Sequence, residues 1–418
     1  MSARVEVTKK YATAYANAGK KDKGRILDQV VEVTGWNRDH ARQQLRARLR
    51  QPLGRAQATI AVIDRRHSKP RKYSYDALRV LQRVWSTSGG ICGKYLAASM
   101  PGWLDAMEAE GDLVAGQDRY SPGVRAELES MSGATIDRYL AAARDKDPLR
   151  GRSATKPGTL LRNSITVRKA GDEVEAEPGF FEVDTVAHCG PTLQGEFVRS
   201  VNFTDMLTGW VFTRAIRNNA RVHILAAFDQ FIAAVPFMVT GIDSDNGSEF
   251  INHDLIAWAG DRKIFFTRSR PYKKNDQATI ESKNNHLVRR YGFYFRYDTP
   301  LELDLLNQLW ALANDRLNYL TPTKKPIGYA TDHVGRRKRL YDKPTTPYQR
   351  LLNAGVLSPA QQHDLAAHKA SLRPAEMAKR IHDIQQELTR LAGHKTRYLE
   401  EQTHPKLPNP SGIRLHAS

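Results

Sequence analysis

Three carboxylates of this chain stand where an oxygen-rich site for hard cations needs them: Asp184, Asp245 and Glu281. Asp184 lies in Phe180-Phe181-Glu182-Val183-Asp184-Thr185-Val186, an apolar, β-branched run of the kind that forms a central strand. Asp245 follows Phe237-Met238-Val239-Thr240-Gly241-Ile242, a second buried-strand pattern, and precedes the turn dipeptide Asn246-Gly247. That puts it at a strand's carboxyl end, where open α/β sheets expose their ligand crevice. Glu281 falls in the stretch Asn275 to Leu287, which has a helical period and no breaker after its start. Magnesium prefers oxygen ligands and keeps phosphate and water in its shell. A pair of divalent ions about 3.5 to 4 Å apart serves an in-line displacement at phosphorus, one oxygen being activated and the other stabilised as it leaves. Two aspartates on neighbouring strands and a glutamate on a helix supply such a pair without histidine or cysteine. Among 45 acidic residues a bare triple means nothing, so the strand, strand, helix context carries the weight.

The elements that must position these groups follow a recognisable order. Strands near 178 to 187, 196 to 204 and 209 to 216 precede a helix near 221 to 234. A strand near 237 to 243, a helix near 252 to 260, a short strand near 263 to 268 and the Glu281 helix follow. Glu182 and Asp243 stand two positions from Asp184 and Asp245 and share their strand faces, which leaves Asp243 as an alternative ligand. His188, four residues past Asp184, is a candidate accessory group for positioning substrate or water. A lone histidine near a strand end is more often structural. Asp205 opens a turn before Gly209, which turn chemistry explains. On the Glu281 helix, Asn284 and Asn285 fall at i+3 and i+4 and share its face. Lys273, Lys274, Lys283, Arg289 and Arg290 are candidates for holding phosphates.

Residues from about 178 to 330 resemble the catalytic core of the retroviral integrase superfamily, and are most similar to bacterial insertion-sequence transposases with an integrase-type core. The resemblance rests on Glu182-Val183-Asp184-Thr185 with His188, on Thr204-Asp205-Met206-Leu207-Thr208-Gly209-Trp210, and on Asp243-Ser244-Asp245-Asn246-Gly247-Ser248-Glu249-Phe250. It is completed by Ser269-Arg270-Pro271-Tyr272-Lys273-Lys274-Asn275-Asp276-Gln277 leading to Glu281. It implies an RNase H-like α/β core with a mixed five-stranded sheet. It also implies a DDE triad of Asp184, Asp245 and Glu281 as catalytic and metal-holding residues. Two Mg²⁺ per site are expected, with Mn²⁺ able to substitute. The implied activity is cutting and joining of transposon-end DNA, with Tyr272 and Asn275 in a loop that meets the DNA terminus.

Composition fits a polyanionic partner. Sixty-four Lys+Arg against 45 Asp+Glu give a formal charge of +19, a balance that favours DNA through phosphate contacts and counterion release. Residues 1 to 100 hold 21 Lys+Arg and 7 Asp+Glu, so most of the excess precedes the core. Within them, Val33-Thr34-Gly35-Trp36-Asn37-Arg38-Asp39-His40-Ala41 matches Met131-Ser132-Gly133-Ala134-Thr135-Ile136-Asp137-Arg138-Tyr139 further on. Each is a hydroxyl-Gly turn after a helical segment, Lys23 to Glu32 and Pro122 to Ser130. This is the helix-turn-helix pattern, its second helices beginning near Asn37 and Thr135. Asn37, Arg38, Arg42 and Arg46 of the first and Thr135 and Arg138 of the second are candidate DNA contacts. The blander reading of either unit is a packed helical hairpin. Residues 74 to 105 suggest a further helical module turning at Ser88-Gly89-Gly90. Arg65 to Lys72 is a basic linker broken by Pro70, in which Arg66, Arg71 and Lys72 are candidates to track a DNA backbone.

The organisation expected is therefore multidomain. An all-α helix-turn-helix region spans 1–72 with its linker, a second helical domain 73–145, a connector 146–177, the RNase H-like core 178–330 and a basic, mostly helical region 331–418. In the last region, Met377, Ile381, Ile384, Leu388 and Leu391 recur at helical spacing, as do Leu305, Leu309, Leu312 and Leu317 earlier. Only Cys92 and Cys189 are present, which excludes a disulfide framework and a cysteine-rich zinc site. The longest apolar stretch, Ile224 to Val239, is broken by Asp229, Gln230 and Pro236 and is short of the ~20 residues a membrane span needs. A bacterial cytoplasmic, nucleoid-associated protein is expected, acting on double-stranded transposon ends and target DNA as a homo-oligomer, with the need for an ATPase helper left open. Two rival classes stand beside it: a DNA-binding regulator derived from a transposase, and an RNase H-like nuclease that only hydrolyses.

Overall fold

The computed structural model describes residues 2–49, 72–144, 166–168, 177–244, 250, 253–269, 284–331 and 337–403. The chain forms two compact units, Met1–Lys72 and Tyr73–Ser418. Among the described residues the first holds three helices, α1 (Ser2–Asn17), α2 (Lys20–Thr34) and α3 (Arg38–Leu49). They close on one small core of Ala12, Tyr15, Leu27, Val30, Ala41 and Leu45. Gly35 ends α2 in the left-handed conformation, at φ 67°, and its N–H donates to Val31 O, a C-cap that a β-carbon would strain. Asn37 then caps α3, its side-chain oxygen accepting the His40 N–H at 2.8 Å.

The second unit is built on a six-stranded mixed sheet, in the order β1-β6-β5-β2-β3-β4. Strands β2 (Phe180–Ala187), β3 (Arg199–Asp205) and β4 (Val211–Ile216) form an antiparallel meander. Strands β5 (Gly241–Ser244) and β6 (Phe265–Ser269) add in parallel beside β2. These are the five strands expected, in the RNase H-like order. The sixth, β1 (Thr166–Arg168), comes from the connector and pairs in parallel with β6. Alternation along β2 decides what each face does. Phe181 and Val183 point with Val201, Phe203 and Ile242 into a core closed by α8 (Arg221–Ala234) and α9 (His253–Asp261). There Phe203 stacks on Phe231 with centroids 4.1 Å apart.

The opposite face carries Glu182, Asp184 and Val186. It is covered by α10, which opens as a π-wound turn, Asn284–Arg289, and closes as Arg290–Gly292, and by α11 (Pro300–Asp315, continuing π-wound as Arg316–Leu320). Helix α10 is π-wound from Asn284, a winding common beside functional groups; the face expected to be shared by Glu281, Asn284 and Asn285 runs through residues outside the described ones. On α11 the buried stripe is Leu306, Leu309, Trp310 and Ala313, with Leu305, Leu312 and Leu317 at its margin. The expected strand from Phe237 begins only at Gly241. Pro236 precedes the run, Met238 is 79% exposed, and a β-carbon at Gly241 would strike the Phe180 ring, so only glycine lets β5 close onto β2 there.

Helices α4 (Tyr75–Thr87), α5 (Gly93–Glu110), α6 (Pro122–Glu129) and α7 (Gly133–Arg144) share one core around Trp103, Met100, Leu96 and Leu128. Gly133 opens α7 instead of lying in the turn; a β-carbon there would approach Lys94 Cα to 2.8 Å, so glycine permits the close contact of α5 and α7. After α11 the basic segment forms a hairpin, β7 (Pro326–Thr331) and β8 (Arg337–Tyr341), which the expected helical reading of this region did not contain. Helices α12 (Pro347–Ala354), α13 (Pro359–Ser371) and α14 (Pro374–Thr403) follow. Tyr348, Leu351 and Leu365 complete the first core, while Met377, Ile381, Ile384 and Leu388 pack with Trp310 in the second. The apolar stripe of α14 is thus spent on its own chain. Among the described residues no helix is long and apolar enough to cross a membrane.

Candidate active site

Asp184 sits mid-strand on β2, half-buried, on the face beneath α10. Its Oδ1 accepts the Thr185 N–H at 2.7 Å, and its Oδ2 accepts Asn284 Nδ2 at 2.5 Å. Asn284 Oδ1 accepts Asn202 Nδ2 at 3.3 Å, and Asn202 Oδ1 accepts the Thr213 hydroxyl at 3.0 Å. Asn202 is the cross-strand partner of Asp184, and Thr213 that of Asn202. A row of polar side chains therefore runs across three strands and ties the head of α10 to the Asp184 carboxylate. Buried amides paired at both ends hold one orientation, because turning either would orphan its neighbour. One rung along, Glu182 faces Asp243 in register, and the Thr267 hydroxyl donates to Asp243 Oδ1 at 2.6 Å. Both carboxylates are almost wholly enclosed, unlike Asp184. On the opposite face of the sheet, Arg199 donates to the Thr185 hydroxyl at 3.3 Å.

Of the expected triad, Asp184 is described, while Asp245 and Glu281 lie outside the described residues. So do Arg66, Arg71, Tyr272, Lys273, Lys274, Asn275 and Lys283, and the side chain of Asn285. His188 is fully buried. Its Nε2 meets the Ser200 hydroxyl at 2.8 Å, its ring stacks near Trp310, and Trp310 Nε1 donates to the same hydroxyl at 2.9 Å. Burial, and secondarily the nearby Arg289 charge, hold its pKa well below the ordinary imidazole value. The imidazole is thus enclosed beside Tyr297 and Trp310 instead of standing open next to Asp184. Arg289 likewise turns inward: it donates to Ala187 O at 3.1 Å and lies over the Tyr294 ring. Its neighbour Arg290 reaches the turn between α4 and α5, donating to Gly89 O at 2.8 and 3.1 Å and to Gly90 O at 3.1 Å. Asp205 behaves as turn chemistry predicts, accepting the Thr208 N–H and hydroxyl at 2.6 Å each, and it also accepts the Gly179 N–H.

In the helical region, Arg38 is occupied within its own unit, pairing with Asp28 and donating to Gly24 O. Arg42 pairs with Asp39 at 2.8 Å, whereas Arg46 is exposed. Thr135 bonds Ser132 at the start of α7, and Arg138 and Lys72 are exposed. Asn202 and Thr213 went unremarked in the sequence. The signal for Asn202 is the polar alternation Ser200, Asn202, Thr204 along β3.

The chain is similar to several known proteins. The integrase core domain family model matches residues 175–274. An uncharacterized protein of Sinorhizobium fredii, y4rM, is 32% identical over 352 residues, covering 84% of this chain and 95% of its own. The transposase for insertion sequence element IS4351 of Bacteroides fragilis is 25% identical over 202 residues, 47% of this chain and 60% of that protein. The chain belongs to the integrase superfamily of transposases. Among solved structures of the superfamily, the catalytic core domain of BIV integrase is 18% identical, covers 42% of this chain and 95% of its own, and aligns with a TM-score of 0.29.

Proposed function

We propose that this chain is a transposase that binds transposon-end DNA, cuts it and joins it to target DNA, with Asp184, Asp245 and Glu281 as its catalytic carboxylates. The hydrogen bond from Asn284 to Asp184 carries the reading, because it brings the chain three residues past Glu281 onto the Asp184 carboxylate. The second support is register: Val183 pairs with Ser244 in parallel, one residue before Asp184 on one strand and one before Asp245 on the other. A donor set of three carboxylates, all hard oxygens with no thiol, fits divalent magnesium or manganese. When bound, such ions would supply electrostatic stabilisation of the attacking and leaving oxygens. The chain's own part is to hold the scissile phosphate in line and to keep the Asp184 carboxylate oriented through Asn284, itself held by Asn202. In cleavage, water's oxygen bonds to phosphorus while the bond to the 3′ oxygen breaks, and that oxygen takes a proton. In transfer, the freed 3′ hydroxyl bonds to a target phosphorus and expels a target 3′ oxygen. Each step exchanges one phosphorus–oxygen bond for another, so the chemistry itself needs no nucleotide hydrolysis. Joining two ends calls for at least two copies of the chain.

The purified chain, incubated with Mg²⁺, a duplex ending in the element's own terminus and a supercoiled target, is expected to yield covalently joined end–target products. Hydrolysed ends without joints would select the nuclease reading. Binding without any cleavage would select the regulator.

A further inference from the structure

The hairpin β7–β8 leaves the fold between α11 and α12, and none of the groups discussed above lies on it. Its root is rigidly held. Lys325 N donates to Asp342 Oδ1 at 2.6 Å and Asp342 N to Lys325 O at 2.9 Å. Arg350 of α12 donates to Asp342 Oδ2 at 2.8 Å, to Thr323 O at 2.6 Å and to the Thr323 hydroxyl at 2.8 Å. The Lys325 ammonium is bonded to the Met206 carbonyl in the turn after β3, so the ribbon is pinned to the catalytic sheet. Beyond the root the character changes. Ile327, Tyr329, Leu340 and Tyr341 are 67, 51, 41 and 48% exposed. The register sets Arg339 opposite Tyr329, Arg337 opposite Thr331 and Lys338 opposite Ala330, and Arg336 precedes β8.

A lone two-stranded hairpin is marginal in water. A ribbon that is fixed at its base, leaves large apolar residues exposed and has a cation-rich sequence is therefore shaped for an outside partner. Four consecutive cations, Arg336 to Arg339, set the sign of that partner and disfavour a second copy of this equally basic chain. A two-stranded ribbon fits the major groove of a duplex, where arginine contacts phosphates or guanine edges. We infer that β7–β8 is a DNA-docking ribbon, inserted in the major groove of the duplex on which the chain acts. This rests on the reading of the chain as a DNA-acting transposase.

The test uses the full chain, a fluorescent duplex of random sequence, and binding titrations at several salt concentrations. Wild type is expected to bind. The double variant Arg337→Ala with Arg339→Ala should bind roughly tenfold more weakly, with the slope of log affinity against log salt reduced by about two. Arg337→Lys with Arg339→Lys should restore the slope, and Tyr329→Ala with Tyr341→Ala should weaken binding while leaving the slope unchanged. Thermal melts matching wild type would show that these exposed changes leave the fold intact. If wild type binds and the alanine double variant binds equally with the same slope, the ribbon does not dock DNA. If the variants change only the oligomeric state, the ribbon's occupant is a second copy and the inference is wrong. Failure of wild type itself to bind would instead overturn the transposase reading on which the inference rests.

Discussion

The amide of Asn284 sets the orientation of Asp184, and that contact is the residue-scale core of the account. Asn284→Ala removes the donor without touching the carboxylate. It should lower strand-transfer rate by about tenfold to a hundredfold, the usual cost of losing a group that orients a metal ligand, with DNA affinity unchanged. A variant with wild-type rate would leave Asn284 a packing residue. His188 makes a second prediction, in stability. Its folded pKa is held well below 6.5, so the unfolded state binds the extra proton first. Folding stability should therefore fall as pH drops through the ordinary imidazole value and be flat above it, as far as this group is concerned. Urea midpoints across that range check the sign, and His188→Phe should remove this contribution. Asp184 was legible in the sequence because an acidic residue in an apolar strand stands out. Its partners were not, since Asn284 lies 100 positions away and Asn202 a further contact across 82 positions.

At the scale of elements, the turn between α4 and α5 clamps α10. Gly89 and Gly90 have φ of 78° and 73°, and their carbonyls take three bonds from Arg290. Arg290→Ala should cost about 2 kcal/mol in urea unfolding, the range for hydrogen bonds from a charged donor, and should slow catalysis more than it weakens binding. A variant as stable as wild type would show that the clamp adds nothing. The hairpin root gives a pH signature of its own. Burial of its ammonium, opposed chiefly by the nearby Asp205, brings the Lys325 pKa down to about 8 from 10.5. Between those values the unfolded chain holds the proton that the folded chain has lost, so stability should rise with pH across that window. Lys325→Met should abolish this rise, and an unchanged slope would assign it to other groups. The strand and helix order of the core was legible because each element carries a clear period. The start of β5, the π winding of α10 and the hairpin were not, because each is decided by a tertiary contact: Phe180 against Gly241, Asn284 against Asp184, and Arg350 against Asp342.

At the scale of the whole molecule, a basic chain with most of its excess charge in the first 100 residues carries a mixed sheet whose two faces do different work. One face is apolar and closes the core through Phe181, Phe203 and Phe231, while the other presents carboxylates and amides to α10. The helices after residue 347 complete both cores, so α14 is part of the catalytic unit and not an appendage. Leu388→Ala, at a fully buried position beside Trp310, should cost about 2 to 5 kcal/mol. A loss of only about 0.5 kcal/mol, the range of surface substitutions, would mean that α14 packs loosely. The central claim is that three carboxylates from β2, the end of β5 and the approach to α10 act as one site. It is tested most directly by measuring strand transfer and end binding side by side for Asp184→Asn, Asp245→Asn and Glu281→Gln in the full chain with Mg²⁺ or Mn²⁺. Each change removes a charge at nearly constant volume, so transition-state stabilisation should be lost while ground-state affinity is kept. No joined product is expected from any of the three, with end binding close to wild type. Wild-type joining by any one of them would contradict it.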